Sequence, residues 1–132
     1  MPKAKPKEYY FKKAWKLFSL YTRQKDKDWR ENVRCITCNW LGNWKECDAG
    51  HYIHGKGKQT YFNPKNVHAQ CSRCNKWKSG ELGVYAHKII KRYGLKEYEK
   101  LEAQRYKDYY WTIEELKQII KKYENYAMGV YV

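Results

Sequence analysis

Residues 47–54 read CDAGHYIH, which places one cysteine, one aspartate and two histidines within eight residues. Such a group can bind a metal, take a proton from water, or form a polar turn, and the flanking sequence narrows the choice. Two C-x-x-C knuckles, Cys35/Cys38 and Cys71/Cys74, stand 32 residues apart. A C-x-x-C turn aims two thiolates at one point, and two such turns supply the tetrahedral four-sulfur shell that structural Zn²⁺ prefers. Two unrelated reduced pairs explain less, because turn-forming polar residues surround each knuckle. A redox pair explains less again, since no βαβ pattern accompanies either one. The spacer exceeds the roughly 15 to 20 residues of a simple zinc ribbon, so the zinc is expected to hold the ends of an insert that presents His51. Cys47 is left over. Together with His51 or His54 it lacks an obvious fourth ligand for a second zinc site, and a free thiol is the simpler reading.

Beyond the insert the order is DAGHY, then FNPKNVHAQCSRCNKWKSG. A histidine after a small residue, an asparagine fifteen residues later and another directly after the last knuckle cysteine form an ordered set. The set resembles the HNH, or ββα-metal (His-Me finger), nucleases in their H-N-N form. More narrowly, Asp48 to Tyr52, Asn66 to Asn75 and Lys78 to Gly80 resemble the phage NinG (Rap) recombination family. The plan is also similar to the endonuclease VII-type junction resolvases. The resemblance spans roughly residues 33–95 and implies a metal-dependent endonuclease acting on branched DNA such as Holliday junctions or D-loops.

Phosphodiester hydrolysis needs an attacking water, a base, and a cation for the charge on the leaving 3′ oxygen. A histidine of ordinary pKa, about 6.5, can be neutral and basic at working pH, which suits His51. Gly50 is expected to let a phosphate approach. The resemblance implies that Asn66 holds the hairpin and orients the His51 ring, and that Asn75 offers its amide oxygen to one Mg²⁺ or Mn²⁺, a hard cation that takes oxygen ligands. In the commoner pattern the residue before the base is a second metal ligand, but here it is Gly50. Asp48 is the nearest carboxylate and is expected to reach the metal through a strand bulge; the alternative is a turn aspartate serving backbone donors. Sulfur shells do not suit magnesium, so the two metals should be separate. His54, Lys56, Lys58, Lys65, Arg73, Lys76 and Lys78 are candidate DNA contacts, with His68 as a further metal or phosphate candidate. Tyr52, Tyr61, Phe62 and Trp77 lie among them and could stack on unpaired bases.

The rest of the chain must position these residues. Tyr10, Ala14, Leu17, Phe18 and Tyr21 recur at helical spacing, with Lys12, Lys13 and Lys16 mainly elsewhere. That predicts a helix from Glu8 that ends before Asp28, behind a basic arm, MPKAKPK. Residues 33–80 carry both knuckles and five of the eight glycines, so short strands and loops are expected. From Val84, the residues Ala86, Ile89, Ile90 and Tyr93 line a helix that Gly94 would close in a left-handed conformation. A weaker helix follows, with Leu95, Tyr98 and Leu101 on one side. Thr112 and Glu115 form a capping-box pattern ahead of Ile113, Leu116, Ile119, Ile120 and Tyr123.

The expected class is α+β: a zinc-stapled HNH-like finger at 33–95, preceded by the arm and helix at 1–32 and followed by a helical extension at 96–132, all in one compact domain. The chain has 132 residues, 28 Lys plus Arg against 14 Asp plus Glu, and a formal charge of +14. Residues 1–34 carry +7, 35–80 carry +5 and 81–132 carry +2. That imbalance favours a polyanion, and nucleic acid first. No run of about 18 apolar residues exists, and the opening has no apolar signal segment; with paired C-x-x-C thiols this predicts an intracellular protein without a membrane span. A homodimer would suit symmetric cutting, with the aromatic end helices as its interface. The competing readings are a non-catalytic zinc DNA-binding module, a sequence-directed homing or restriction-like HNH nuclease, and a zinc-stabilised adaptor.

Overall fold

A computed structural model describes residues 4–127; the first three residues of the predicted arm lie outside the described residues. Four helices surround two small antiparallel sheets: α1 (Lys7–Gln24), β1 (Asn32–Arg34), β2 (Leu41–Asn43), β3 (Cys47–His51), β4 (Val67–Cys71), α2 (Leu82–Tyr93), α3 (Leu95–Glu102) and α4 (Ile113–Ala127). A π-helical turn, Arg73–Trp77, joins β4 to α2. β1 pairs with β2, and β3 with β4 in an unbroken register from Cys47↔Cys71 to His51↔Val67.

The β3–β4 hairpin separates two cores. Ala49 and Val67 join Ala14, Leu17 and Phe18 of α1 and Leu116, Ile120 and Tyr123 of α4. Tyr52, Ile53 and Ile36 pack with Tyr85 and Ile89 of α2 and Leu101 of α3. Aromatic edges knit α1 to α4, with Phe18 and Tyr123 at 5.2 Å and Tyr21 and Tyr123 at 4.8 Å. The end helices therefore cover much of each other's aromatic surface within one chain.

The capping box forms as predicted: Thr112 Oγ1 accepts from the Glu115 amide at 3.1 Å, and Glu115 Oε1 accepts from the Thr112 amide at 3.0 Å. Gly94 differs from expectation. It has the positive φ that favours glycine, +95°, but ψ is 159°, outside the left-handed helical region and in one that glycine almost alone adopts. Its amide still closes α2 by donating to the Ile90 carbonyl at 2.8 Å. Leu95 and Ile113, counted on the apolar faces of their helices, are exposed because each begins its helix at the edge of a core.

Candidate functional site

The two knuckles meet. The ligand atoms of Cys35, Cys38, Cys71 and Cys74 all lie within 4.8 Å of one another, and the Cys38 and Cys71 sulfurs are 3.6 Å apart. Zn–S bonds of about 2.3 Å in a tetrahedron separate the sulfurs by about 3.8 Å, so the cluster could hold a zinc ion. Without a cation, burial pushes the Cys74 thiol up to about 12, with neighbouring thiols adding to the shift. Burial also pushes Cys35 up, but hydrogen bonds from the Thr37 hydroxyl and nearby amides outweigh it and leave that thiol at about 7. Cys47 stands apart as a buried free thiol, donating to the Trp44 carbonyl and raised to about 11 by burial.

His51 ends β3 and lies outside the sulfur cluster. Its ring packs against both Tyr61 at 4.4 Å and Trp15 of α1 at 4.9 Å, inclined to them by 27° and 23°, and those two rings touch each other at 5.1 Å. Nε2 lies 3.1 Å from the Tyr61 carbonyl oxygen. A carbonyl only accepts, so Nε2 carries the hydrogen and Nδ1 keeps its lone pair. Burial lowers the imidazole pKa to about 4, the Tyr61 carbonyl opposes this, and His54 lowers it further. The ring is thus neutral at neutral pH.

Asn66 is fully buried beneath this arrangement. Its Oδ1 accepts from the Ile53 amide at 2.9 Å, and Nδ2 donates to the carbonyls of Ile53 at 3.0 Å and Thr60 at 3.1 Å. One side chain ties both ends of the loop after β3. It acts on His51 through the backbone: fixing Thr60 fixes the next residue, Tyr61, whose carbonyl and ring hold the imidazole.

Asp48 and Asn75 also meet. Asn75 Nδ2 donates to Asp48 Oδ2 at 3.1 Å, and Lys76 Nζ stands 3.8 Å from the same oxygen. The strand does not bulge, contrary to expectation. Side chains two apart on a strand share a face, so Asp48 already lies on the face of position 50. Asp48 and Asn75 are not in contact with His51, which the pleat directs to the opposite face of β3. His54 lies near His51, its ring 6.3 Å from that of His51, and its Nε2 is 3.7 Å from where a Cβ on Gly80 would be. Gly80 in turn donates its amide to the Cys74 carbonyl, beside Asn75.

Several predicted roles change. Gly50 is buried and makes room for Gln70 rather than for a phosphate: a Cβ there would come 2.1 Å from Gln70 Oε1. Gln70 Nε2 donates to Thr37 Oγ1 and to the Gly80 carbonyl, while Oε1 is buried without a partner among the described residues. His68 is no surface ligand: it is buried on the hydroxyls of Tyr85 and Tyr93, with burial lowering its pKa to about 3. Tyr52, Tyr61 and Phe62 are core residues, and of the four rings offered for base stacking only Trp77 is exposed, at 84%. Among the candidate DNA contacts, Lys58, Lys65, Lys76 and Lys78 pair with Asp108, Glu97, Asp48 and Glu81. Lys56 lies over the Phe11 ring, and His54 and Arg73 are exposed. Sequence reasoning missed Trp15 and Gln70. A second apolar stripe on α1, Phe11–Trp15–Phe18, was the available signal for Trp15, whereas nothing in the sequence marks Gln70.

The family description "Bacteriophage Lambda NinG protein" matches residues 1–128. The chain belongs to the NinG family. It is 36% identical over 121 residues to Protein ninG of Escherichia phage lambda, covering 91% of this chain and 56% of that protein. It is 35% identical to Protein ninG of Salmonella phage P22 and 34% identical to that of Escherichia phage 933W, each over 91% of this chain and 57% of the relative. The chain thus spans little more than half the length of these NinG relatives. No solved structure matches. The sequence elements that resemble NinG fall on the site: DAGHY contains most of β3, NVHAQC contains β4, and KSG leads from the π-helical turn to α2. No described helix is long and apolar enough to cross a membrane.

Proposed function

We propose that this NinG-family chain is a metal-dependent, structure-selective DNA endonuclease that cuts branched recombination intermediates such as Holliday junctions and D-loops. Its site is read as HNH-like, related in plan to the endonuclease VII-type resolvases. The observation that carries the reading is the clamped, neutral His51, whose Nε2–H is committed to the Tyr61 carbonyl and whose Nδ1 is left as a base. A base must match the proton it takes in geometry first and pKa second. Two stacked rings and a backbone acceptor fix the geometry. The anionic phosphate of bound DNA raises the low pKa toward the working range.

Asp48 and Asn75 fit a hard cation. They converge on one point from a strand and a turn, and Asp48 Oδ1 and Asn75 Oδ1 have no protein partner among the described residues. Oxygen donors of this kind suit Mg²⁺ or Mn²⁺, whose charge would offset that building on the leaving 3′ oxygen. His51 takes the proton of the attacking water, Asn66 keeps the loop that carries its clamp, and His54, Arg73 and Lys76 face the phosphates. The hairpin followed by a turn and helix agrees with a ββα order. A homodimer would present two such sites for symmetric cutting.

The test is cleavage of a synthetic four-way junction with Mg²⁺ or Mn²⁺. His51→Ala should lose 10²- to 10⁴-fold in rate while binding the same junction in Ca²⁺ as tightly as wild type. A wild type that binds junctions yet cuts no DNA substrate with either metal would instead be a zinc DNA-binding module. Strong cutting of a linear duplex at a fixed sequence would indicate a sequence-directed nuclease.

A further inference from the structure

The lysines nearest the proposed catalytic site are largely neutralised within the chain, whereas a separate set of cations is not. A cleft of about 490 Å³ lies between the end of α1, β1 and the end of α2, and Lys25, Arg34 and Arg92 are among its walls. It shares Arg34, Ile36 and Arg92 with a second cleft of about 380 Å³ that adds Lys88 and Lys91. The two make one groove, which contains none of His51, Asp48 or Asn75. Among the described residues, Lys25, Arg34, Lys88, Lys91 and Arg92 form no ion pair; Arg34 reaches only the Asn39 carbonyl at 3.4 Å, and Lys25 lies over the Tyr21 ring at 5.7 Å. The acids on its wall are Asp26 and Asp28, and Asp28 is engaged with the amides of Arg30 and Asn32.

We propose that this groove is a second nucleic-acid docking site, gripping the phosphates of a DNA arm other than the one being cut. The inference rests on the DNA-directed reading above. An ordinary explanation accounts for part of the charge, since cations in the last turn of a helix offset its dipole, and Lys91 and Arg92 are so placed. It does not account for Lys88 one turn earlier, or for Arg34 and Lys25 on other elements. Burial lowers the Lys25 pKa, Asp26 on the same wall opposes this, and Arg92 lowers it further. The same two cations depress His68 on the cleft wall after burial does. Their fields therefore converge inside the cleft, where an anion would relieve them. A concave groove with one large exposed apolar side chain on its walls, Leu41, suits a phosphodiester strand. A lipid surface is met by an apolar face instead.

The experiment measures binding of the full chain to a labelled four-way junction in Ca²⁺ across a salt series. Arg34→Glu/Lys91→Glu/Arg92→Glu, all at exposed positions, should raise the Kd at least tenfold at 0.1 M salt. It should flatten the log Kd against log salt slope by about 0.9 for each phosphate that is no longer neutralised. A matched reversal elsewhere, Lys96→Glu/Lys107→Glu/Lys121→Glu, should change Kd less than threefold. Retained zinc and an unshifted thermal melt establish that the triple variant is folded; if it is not, Arg92→Gln alone should flatten the slope by about 0.9. Equal weakening in both triples reduces the effect to net charge and overturns the proposal, as does an unchanged Kd in the groove triple. Binding to phosphatidylserine vesicles that the groove triple abolishes, with junction affinity intact, assigns the groove to membranes and also overturns it. A wild type that binds no DNA removes both this inference and the nuclease reading, whereas junction binding that ignores the groove removes this one alone.

Discussion

The four-sulfur cluster and the Asp48–Asn75 pair are adjacent in sequence, since Cys74 precedes Asn75, yet they are built oppositely. Three of the four cysteines are buried and the sulfurs fill a closed shell. Asp48 and Asn75 are partly open, held by one hydrogen bond and a long contact to Lys76. Structural zinc sites are closed, and catalytic ones keep an open position. The contrast teaches that one short turn can end a sulfur cluster and begin a half-open polar pair, because the π-helical turn buries Cys74 and leaves Asn75 at the rim.

The strongest way to break the contrast is to remove the staple. Cys74→Ser, or a chelator strong enough to strip zinc, should abolish the cooperative thermal melt, because binding free energies on the order of 10 kcal/mol become folding free energy at such sites. If the melt survives, the sulfur cluster is not structural.

Acid tests the dry side of the site. His51 has a folded pKa of about 4 against an ordinary value of 6.5. The unfolded chain therefore binds the proton more readily, and stability present above pH 6.5 is lost as pH falls towards 4, by on the order of 3 kcal/mol for this group. Comparing melts of wild type and His51→Phe from pH 7 to 4.5 isolates it, since zinc and His68 contribute to both. A slope common to the two proteins would mean that His51 titrates normally.

Asp48→Asn should weaken Mn²⁺ binding ten- to a hundredfold by calorimetry while zinc content and melting temperature stay put. Loss of zinc in that variant would merge the two sites and end the comparison. The smallest effect is a control far from both: Thr112→Ala should cost about 1 kcal/mol through the lost cap of α4, read as a lower denaturant midpoint with metal binding unchanged.

Much of this was legible where local rules dominate. The knuckles, the capping box and the helical stripes of α1, α2 and α4 are patterns set within a few residues. The meeting of Asp48 with Asn75 was open to inference once strand periodicity was applied. The clamp on His51 was not, because Trp15 comes from a helix 36 positions away and Tyr61 has the composition of a base-stacking residue as much as of a core residue. Pairing of Lys58 with Asp108 and of Lys65 with Glu97 likewise depends on tertiary contacts that charge counting along the chain does not see. The burial of His68 is hidden for the same reason: two tyrosines on α2 supply its hydroxyl partners.

The bare Cα at position 50 constrains how this site could be rewired. An aspartate grafted there would drive its first carbon to 2.1 Å from the Gln70 amide oxygen and 2.9 Å from the Gln70 Cβ, so the graft should fail in this background and succeed only after residue 70 has been cut back to glycine. The two positions are locked in an order, and the acid two steps back on the same strand is the solution compatible with keeping the glutamine.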